Sequence, residues 1–214
     1  MKNFFLKLGV CALALTGAAE VLAQEQVIQL FAHRGSRFEY DENTLPAFKA
    51  SYDAGLRGFE TDIRMTRDGA LVITHDSSLE RTTDGTGTVE EKTEAEIRQL
   101  ATKQGNKMMF LDELLEFLKG KEGLYVEFEM KTKPEALYPE ERLHAYCDKL
   151  YDAVMAVKPA DATFVFTSGD YRGLRYLQAK HPGVDLLLIT SKPCNDETID
   201  LCKAMGIKRM GATM

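Results

Sequence analysis

The feature that most constrains this 214-residue chain is a regular alternation of short apolar runs with longer amphipathic segments. Seven of the apolar runs have the length and the side-chain types of β-strands. These predicted strands are Val27–Ala32, Gly58–Ile63, Ala70–Thr74, Leu124–Met130, Thr163–Thr167, Val184–Thr190 and Ile207–Thr213. Strands that alternate with helices predict a parallel sheet buried by helices, which is an α/β fold. An open doubly wound sheet and a barrel both agree with this pattern.

Between most of the strands, apolar spacing and capping signals predict helices. Thr93 and Glu96, for example, have the spacing of a capping box. The predicted helices are Thr44–Ala54, Thr93–Leu100, Leu111–Lys119, Glu140–Val157, Tyr171–Lys180 and Asp196–Met205. The long polar segment 76–104 contains glycines and predicts a small insertion after the third strand. No repeat and no linker divides the chain, so we expect one folded domain.

The first 23 residues have the pattern of a secretory signal peptide. Two lysines and a short apolar run precede Val21 and Ala23, small residues at the positions that signal peptidase requires. The run is too short to span a membrane. We therefore expect cleavage near Ala23, a mature domain from residue 24 to residue 214, and a periplasmic or secreted location without stable membrane insertion.

The composition bounds the partners of the mature chain. With 44% hydrophobic and 28% charged residues, the sequence is typical of a soluble globular protein. Removal of the first 23 residues takes away two lysines and one glutamate, so the net charge of −6 becomes −7. An acidic surface disfavours nucleic acid and anionic membranes as main partners, and any basic pocket must be local.

Three cysteines remain after the predicted cleavage: Cys147, Cys194 and Cys202. Export would permit a disulfide, and Cys194 with Cys202 is the pair closest in sequence. The alternative is three buried thiols that pack as small hydrophobic side chains, and the odd number favours this alternative.

Chargeable side chains gather at the ends of four consecutive predicted strands. In chain order these residues are His33, Glu60, Asp62, His75, Asp76, Glu127, Glu129 and Lys131. A strand alternates its side chains, so two carboxylates two residues apart share one face. In parallel α/β folds, the carboxyl ends of the strands form the edge where ligands bind. Each residue alone has an ordinary structural explanation, but the convergence predicts a site.

The types of residue indicate the chemistry of this site. Carboxylates that face one another repel unless a cation lies between them. An all-oxygen ligand set favours a hard divalent cation, Mg²⁺ or Ca²⁺. Arg34 and Lys131 are donors suited to a phosphate group. Two histidines, His33 and His75, are suited to act as acid and base near neutral pH.

Four stretches of sequence resemble one known family. They are "AHRG", "ENTLPAF", "GFETDIRMTRDGALVITHDSSLERTTDGTG" and "VEFEMK", and the similarity is densest from Phe31 to Lys131. In this order the motifs resemble those of the glycerophosphodiester phosphodiesterases. The resemblance implies a TIM (β/α)8 barrel and metal-dependent hydrolysis of glycerophosphodiesters to sn-glycerol 3-phosphate and an alcohol such as choline, ethanolamine or glycerol.

Matched by position, the resemblance also implies roles for individual residues. His33 and His75 are the acid/base pair, and Arg34 and Lys131 hold the phosphate. The implied metal ligands are Glu60, Asp62 and Glu129, with Glu127 as an alternative for the third ligand. The sequence departs from the family pattern at Asp41, where the family usually has proline. The seventh predicted strand ends next to Met214, the last residue, so we expect a barrel truncated before its eighth strand.

Two other functions remain open at this point. A related phospholipase-type phosphodiesterase would need an apolar rim that faces a membrane. A non-catalytic protein that binds glycerophosphodiesters would be expected to lack a histidine or a metal ligand, and this sequence retains all of them. The sequence does not indicate the oligomeric state or the preferred alcohol group.

Overall fold

The computed structural model describes residues 30–213, so the predicted signal peptide lies outside the described residues. Its strands are β1 (Phe31–His33), β2 (Gly58–Met65), β3 (Leu71–Ile73), β4 (Tyr125–Met130), β5 (Thr163–Ser168), β6 (Leu186–Pro193) and β7 (Arg209–Thr213). Its α-helices are α1 (Leu45–Asp53), α2 (Glu94–Ile97), α3 (Leu111–Leu118), α4 (Glu140–Val157), α5 (Tyr171–Lys180) and α6 (Asp196–Ala204). Short 3₁₀ turns lie at Val89–Glu91 and Glu135–Leu137.

The order of the strands decides between the two α/β alternatives. The sheet runs β1-β2-β4-β5-β6-β7, and every neighbouring pair is parallel. A doubly wound sheet reverses its order at a switch point, whereas a barrel adds each new strand on the same side. Within residues 30–213, β1 and β7 lie at the two ends of this path, so the described part is an open six-stranded section of a barrel.

The prediction of seven parallel strands is wrong for β3. This strand is antiparallel to β2 and pairs with residues 63–65. Residues 66–70 connect the two strands, and this loop is far shorter than the dozen residues that a parallel crossover requires. Gly69 closes the turn with a φ of +90°, a conformation that favours glycine. β2 therefore continues beyond the edge of the barrel, and β3 leads the chain back to it.

The outer face of the sheet packs against the helices to form the main core. The predicted apolar face of α4 is confirmed, because Leu143, Cys147, Leu150 and Val154 are at most 1% exposed. Burial of side chains of this size contributes on the order of 2 kcal/mol each to folding. No helix within residues 30–213 combines the length and the apolar character that crossing a bilayer requires.

The polar segment after β3 folds beside the main sheet, as predicted for an insertion. Where this segment packs on β3, apolar residues form a second, smaller core: Val72, Leu79, Val89, Ile97, Met108 and Phe110. The predicted capping box is present, since the Thr93 hydroxyl accepts from the Glu96 amide and the Glu96 carboxylate accepts from the Thr93 amide. This small unit carries the loops that approach the barrel edge from one side.

The three cysteines are free thiols in the described residues. Cys147 and Cys202 are buried, as the packing alternative predicts, but Cys194 is exposed. Burial raises the pKa of the Cys147 thiol to about 12, so this thiol is protonated at neutral pH.

Candidate active site

The predicted site residues come together where the carboxyl ends of β1, β2 and β4 meet. In the register of the sheet, His33 lies beside Glu60, and Asp62 lies beside Glu129. Neighbouring residues in parallel strands point to the same face, so these side chains enter the inside of the curved sheet together. β4 shows the alternation clearly, with its apolar residues buried against the helices and its carboxylates on the inner face.

Three carboxylates form a compact cluster at this edge. Glu60, Asp62 and Glu129 each place an oxygen within 4.8 Å of the other two. Burial, reinforced by the charges of Asp62 and Glu129, raises the pKa of Glu60 well above its usual range. Among the described residues, Glu60 Oε1 and Asp62 Oδ1 are buried without a hydrogen-bond partner. Unpartnered anionic oxygens in a like-charged cluster fit a bound divalent cation with oxygen ligands.

Two cations from the chain flank the cluster. Lys131 Nζ lies 2.8 Å from Glu129 Oε1 and 3.6 Å from Asp62 Oδ1. On the other side, Arg34 Nε lies 3.2 Å from Asp62 Oδ2. Because both side chains lie next to the carboxylates, a phosphate bound at the cluster can accept hydrogen bonds from them.

A tight turn directs Arg34 toward the cluster. Arg34 and Gly35 both have left-handed backbone conformations, with φ values of +57° and +76°. A Cβ atom on residue 35 would approach the Cβ of Ala47 to 2.7 Å, which real contacts do not allow. Both the left-handed φ and the lack of room for a Cβ atom therefore require glycine at position 35. The turn directs the chain toward α1 immediately after His33.

His33 stands at the outer side of the carboxylate cluster. Its Nε2 lies 3.6 Å from Glu60 Oε2, and about half of its side chain (49%) is exposed. Partial burial and the nearby Arg34 guanidinium lower the pKa of His33 below its ordinary value. The imidazole is therefore neutral at pH 7 and able to accept a proton.

His75 reaches the same edge through the β2–β3 hairpin. The amide of Thr74 donates to the Asp62 carbonyl at 3.0 Å, which fixes the end of the hairpin at the barrel edge. His75 Nδ1 lies 2.6 Å from Asp76 Oδ1. A carboxylate only accepts hydrogen bonds, so Nδ1 carries the proton of this contact, and Nε2 is the ring nitrogen left for a ligand. The prediction that His75 belongs to the site does not depend on the wrong strand direction.

Glu127 occupies the same face of β4 but takes no part in the cluster. Its Oε1 accepts a hydrogen bond from the Tyr125 hydroxyl at 3.0 Å. The compact group of carboxylates contains Glu129 instead, which lies one step closer to the edge of the barrel. The structure therefore brings together the three carboxylates that the resemblance implies. It leaves the alternative, Glu127, one step further from the edge of the barrel.

The sequence around this site matches the model of a known protein family. The model described as the glycerophosphoryl diester phosphodiesterase family matches residues 33–212. The chain belongs to this family. The match begins at His33 and includes every residue of the carboxylate cluster and both flanking cations.

Individual relatives agree with the family but overlap the chain in part. The chain is 37% identical over 123 residues to a glycerophosphodiester phosphodiesterase of Caldanaerobacter subterraneus, covering 53% of this chain and 50% of that protein. It is 42% identical over 83 residues to human glycerophosphodiester phosphodiesterase 1, covering 39% of this chain and 25% of that protein. The matches thus span half or less of the length of these relatives.

Solved structures confirm the fold. An Oleispira antarctica phosphodiesterase, determined in complex with the product sn-glycerol-3-phosphate, superposes with a TM-score of 0.77 and 25% identity. The superposition covers 87% of this chain and 75% of that one. A glycerophosphodiester phosphodiesterase from Parabacteroides distasonis superposes with a TM-score of 0.70 at 20% identity, over 86% and 72% of the two chains. The prediction of a TIM-barrel-type α/β fold is confirmed.

Several residues that support the carboxylate cluster and His75 were not predicted from the sequence. Asn43 donates from Nδ2 to Asp62 Oδ2 at 2.9 Å, and its own Oδ1 accepts from the Thr61 hydroxyl at 3.2 Å. Asn43 also adopts a left-handed φ of +59°, which asparagine tolerates better than most residues. The motif "ENTLPAF" carried the signal, but the sequence did not indicate which carboxylate Asn43 would hold.

A buried ion pair supports the hairpin that carries His75. Arg64 is 6% exposed, and its Nη1 lies 2.8 Å from Glu90 Oε1. Its Nε donates to the His75 carbonyl at 2.9 Å, and the Ser77 hydroxyl donates to Glu90 Oε2 at 2.7 Å. Arg64 comes from β2 and Glu90 from the insertion, so the pair ties the insertion to the end of β3.

A cleft of about 510 Å³ opens beside the cluster toward β5. Its lining includes His75, Glu129, Lys131 and Asp170. Asp170 is 3% exposed and accepts from the Thr132 hydroxyl at 2.8 Å, and it also pairs with Arg172 at 2.7 Å. Asp170 is thus already held by partners from the chain, whereas His75, Glu129 and Lys131 are the predicted site residues that face this cleft.

Proposed function

We propose that this protein hydrolyses glycerophosphodiesters to sn-glycerol 3-phosphate and an alcohol, and that it requires a divalent cation, Mg²⁺ or Ca²⁺. The observation that carries the proposal is the cluster of Glu60, Asp62 and Glu129, which is largely buried, has two unpartnered oxygens, and lies near His33 and His75. Family membership and the product named in the Oleispira antarctica structure support the substrate class.

The chain's own residues then have distinct tasks. A cation held by Glu60, Asp62 and Glu129 would neutralise phosphate oxygens and favour formation of a nucleophilic hydroxyl. Arg34 and Lys131 bind the remaining phosphate oxygens from opposite sides of the cluster, and Asn43 keeps the Asp62 carboxylate in orientation. This arrangement positions the phosphorus atom between the two histidines.

The two histidines have different surroundings, which suits them to different proton transfers. His33 is neutral at pH 7 and accepts the proton of the attacking hydroxyl, which belongs to water or to the glycerol itself. The hydrogen bond from His75 Nδ1 to the Asp76 carboxylate orients the ring so that Nε2 can donate a proton to the leaving alcohol. The assignment rests on the different neighbours of the two rings: the Arg34 guanidinium lies near His33, and the Asp76 carboxylate contacts His75.

Release of glycerol 3-phosphate from glycerophosphocholine tests the proposal. We expect release with Mg²⁺ or Ca²⁺ and its loss with a chelator, followed by recovery when the cation is restored. His33→Ala and His75→Ala should each abolish turnover while metal binding persists. His144→Ala is the matched control, because His144 stacks on Tyr176 at 3.9 Å on the outer helices. A folded wild-type protein with no cation-dependent release would refute the proposal.

A phospholipase-type activity is the second candidate, and one observation favours it. Phe38, in the loop that follows His33, is 92% exposed, and its ring lies 5.1 Å from the Arg37 guanidinium. A single aromatic ring among charged neighbours is a small apolar rim, so we rank this function below the first. Faster hydrolysis of phosphatidylcholine vesicles than of glycerophosphocholine would reverse the ranking. Binding of glycerophosphocholine without turnover would instead favour a binding protein.

We also propose that the protein is exported to the periplasm or secreted and that the mature domain begins near residue 24. Support comes from the signal-peptide pattern of the first 23 residues. Mass spectrometry of the mature protein from its native host should give an N-terminus at Gln24. An intact Met1 in the exported protein, or retention in the cytoplasm, would refute this proposal.

A further inference from the structure

Arg81 bridges two carboxylates that come from different loops. It lies in the insertion after β3 and uses both ends of its guanidinium. Nη1 and Nη2 donate to Glu42 Oε2 and Oε1 at 3.0 and 2.6 Å, a two-pronged contact. On its other side, Nε donates to Asp76 Oδ2. The planar fork of an arginine fixes the distance and the angle between its partners, which a lysine cannot do.

Each of these carboxylates holds a residue of the candidate active site. Glu42 Oε1 also accepts from Arg34 Nη1 at 3.1 Å. Asp76 Oδ1 lies 2.6 Å from His75 Nδ1. Basic and acidic side chains therefore alternate without a gap from Arg34 through Glu42, Arg81 and Asp76 to His75. The chain of contacts joins the phosphate-binding side of the site to one of its two histidines.

The contacts of Arg81 with Glu42 and Asp76 are less exposed than an ordinary surface ion pair. The Arg81 side chain is 48% exposed, but the side chains of Glu42 and Asp76 are only 14% and 26% exposed. Burial opposes ionisation of Asp76, yet hydrogen bonds from Arg81 and His75 lower its pKa to about 2. Against the same effect of burial, the hydrogen bond from Arg81 lowers the pKa of Glu42. Both groups are thus held as carboxylates in fixed orientations.

From this geometry we propose that Arg81 is a positioning residue of the reaction. It acts through Asp76 on the ring of His75 and through Glu42 on Arg34, and it touches neither substrate nor cation. The inference rests on the proposed function. Without Arg81, Asp76 is free to rotate away from His75, whereas Arg34 still has Glu42 and Asp62 as partners. The main loss should therefore fall on proton transfer.

Steady-state kinetics of Arg81→Met provide the first test. We expect kcat to fall about ten- to a hundredfold, as for other residues that orient a reacting group. KM should change less than about threefold, because Arg34 keeps its other partners. Arg98→Met is the matched control: Arg98 lies in the same insertion, has a 37% exposed side chain and pairs with Glu94 at 2.7 Å. Its kcat should equal that of the wild type.

A double-mutant cycle shows whether Arg81 acts through Asp76. In an Asp76→Asn background, Arg81→Met should lower kcat less than about threefold further, because the partner has already been altered. Arg81→Lys retains the charge without the fork and should recover part of the lost kcat. A kcat of Arg81→Met within twofold of wild type, or an equal loss in both backgrounds, would overturn the inference.

Histidine NMR tests the same inference without any turnover. In protein labelled with ¹⁵N in its histidines, His75 should appear with a proton on Nδ1, and Arg81→Met and Arg81→Lys should shift its ring resonances. The resonances of His144 should stay in place, and Arg98→Met should move none of them. If the wild type shows no hydrolysis but the His75 signals respond, the proposed function fails and the positioning role stands. Unchanged His75 signals would refute the positioning role itself.

Discussion

Strand β4 has two faces that differ completely in character. The outer face packs against the helices with side chains that are at most 2% exposed: Val126, Phe128 and Met130. The inner face presents polar groups to the inside of the curved sheet: Tyr125, Glu127 and Glu129. Both faces come from the same six residues, and the alternation of a strand is what separates them.

The difference shows where stability and reactivity reside in this protein. The apolar face gains free energy from burial, and its aromatic rings pack at distances of 5.3 Å for Phe128–Phe164 and 6.2 Å for Phe128–Phe166. The polar face brings carboxylates together, and burial raises the pKa of Glu129. A buried cluster of like charges lowers stability, and such clusters are typical of functional sites, where residues are selected for chemistry and not for stability.

The largest effect is expected for Glu129→Gln, which tests the polar face. The substitution preserves volume but removes one of the three carboxylates that would hold the cation. We expect kcat/KM for glycerophosphocholine to fall by about 10³-fold or more. The protein should remain folded, so its far-ultraviolet circular dichroism should match that of the wild type. Activity within tenfold of wild type would show that the cluster is not the metal site.

Phe128→Ala tests the apolar face and should have the next largest effect. The side chain is fully buried, so its loss leaves a cavity. We expect the free energy of unfolding to fall by about 3–5 kcal/mol, measured by urea denaturation. Phe38→Ala is the matched control, because Phe38 is 92% exposed and its loss should change stability by less than about 0.5 kcal/mol. Similar values for both variants would contradict the packing described above.

Adding Mg²⁺ or Ca²⁺ should stabilise the protein through the polar face. At a cation concentration of 100 times Kd, the free energy of unfolding should rise by about 2.7 kcal/mol. Burial and the neighbouring carboxylates raise the pKa of Glu60, so protons compete with the cation well above pH 4.5. The gain should therefore be largest at alkaline pH, where Glu60 is ionised, and should shrink as the pH falls and Glu60 takes up a proton. A gain that does not depend on pH, or that persists in Glu129→Gln, would argue for binding elsewhere.

The smallest effect is expected for Glu127→Gln, which separates two layers of the same face. Glu127 lies beneath the cluster and accepts from Tyr125. The glutamine amide oxygen can still accept from the Tyr125 hydroxyl, and exchange of a charged acceptor for a neutral one costs about 1 kcal/mol, so kcat/KM should change by less than about tenfold and metal-induced stabilisation should persist. A loss as large as that of Glu129→Gln would mean that the ligand set includes Glu127.

Much of the site was predictable because strands impose a period of two on their side chains. The pairs Glu60 with Asp62 and Glu127 with Glu129 were each expected on one face, and both are. Placing His75 at the same edge was also correct, although the strand before it runs in the opposite direction from the one expected. The missed signal was the short loop around Gly69, which has the length of a hairpin connection and not of a crossover.

The sequence by itself determined the alternation of strands and helices, the faces of β4 and α4, and the residue types suited to phosphate chemistry. These properties are local, because they follow from the spacing of side chains along one element. Tertiary structure left Glu127, the alternative to Glu129 in the sequence, out of the compact cluster, and it alone decided that Arg81 lies between Glu42 and Asp76. Arg81 and Glu42 are 39 positions apart, and Glu129 is still further along the chain from Glu60 and Asp62, so these contacts depend on how the sheet curves and how the loops dock on it.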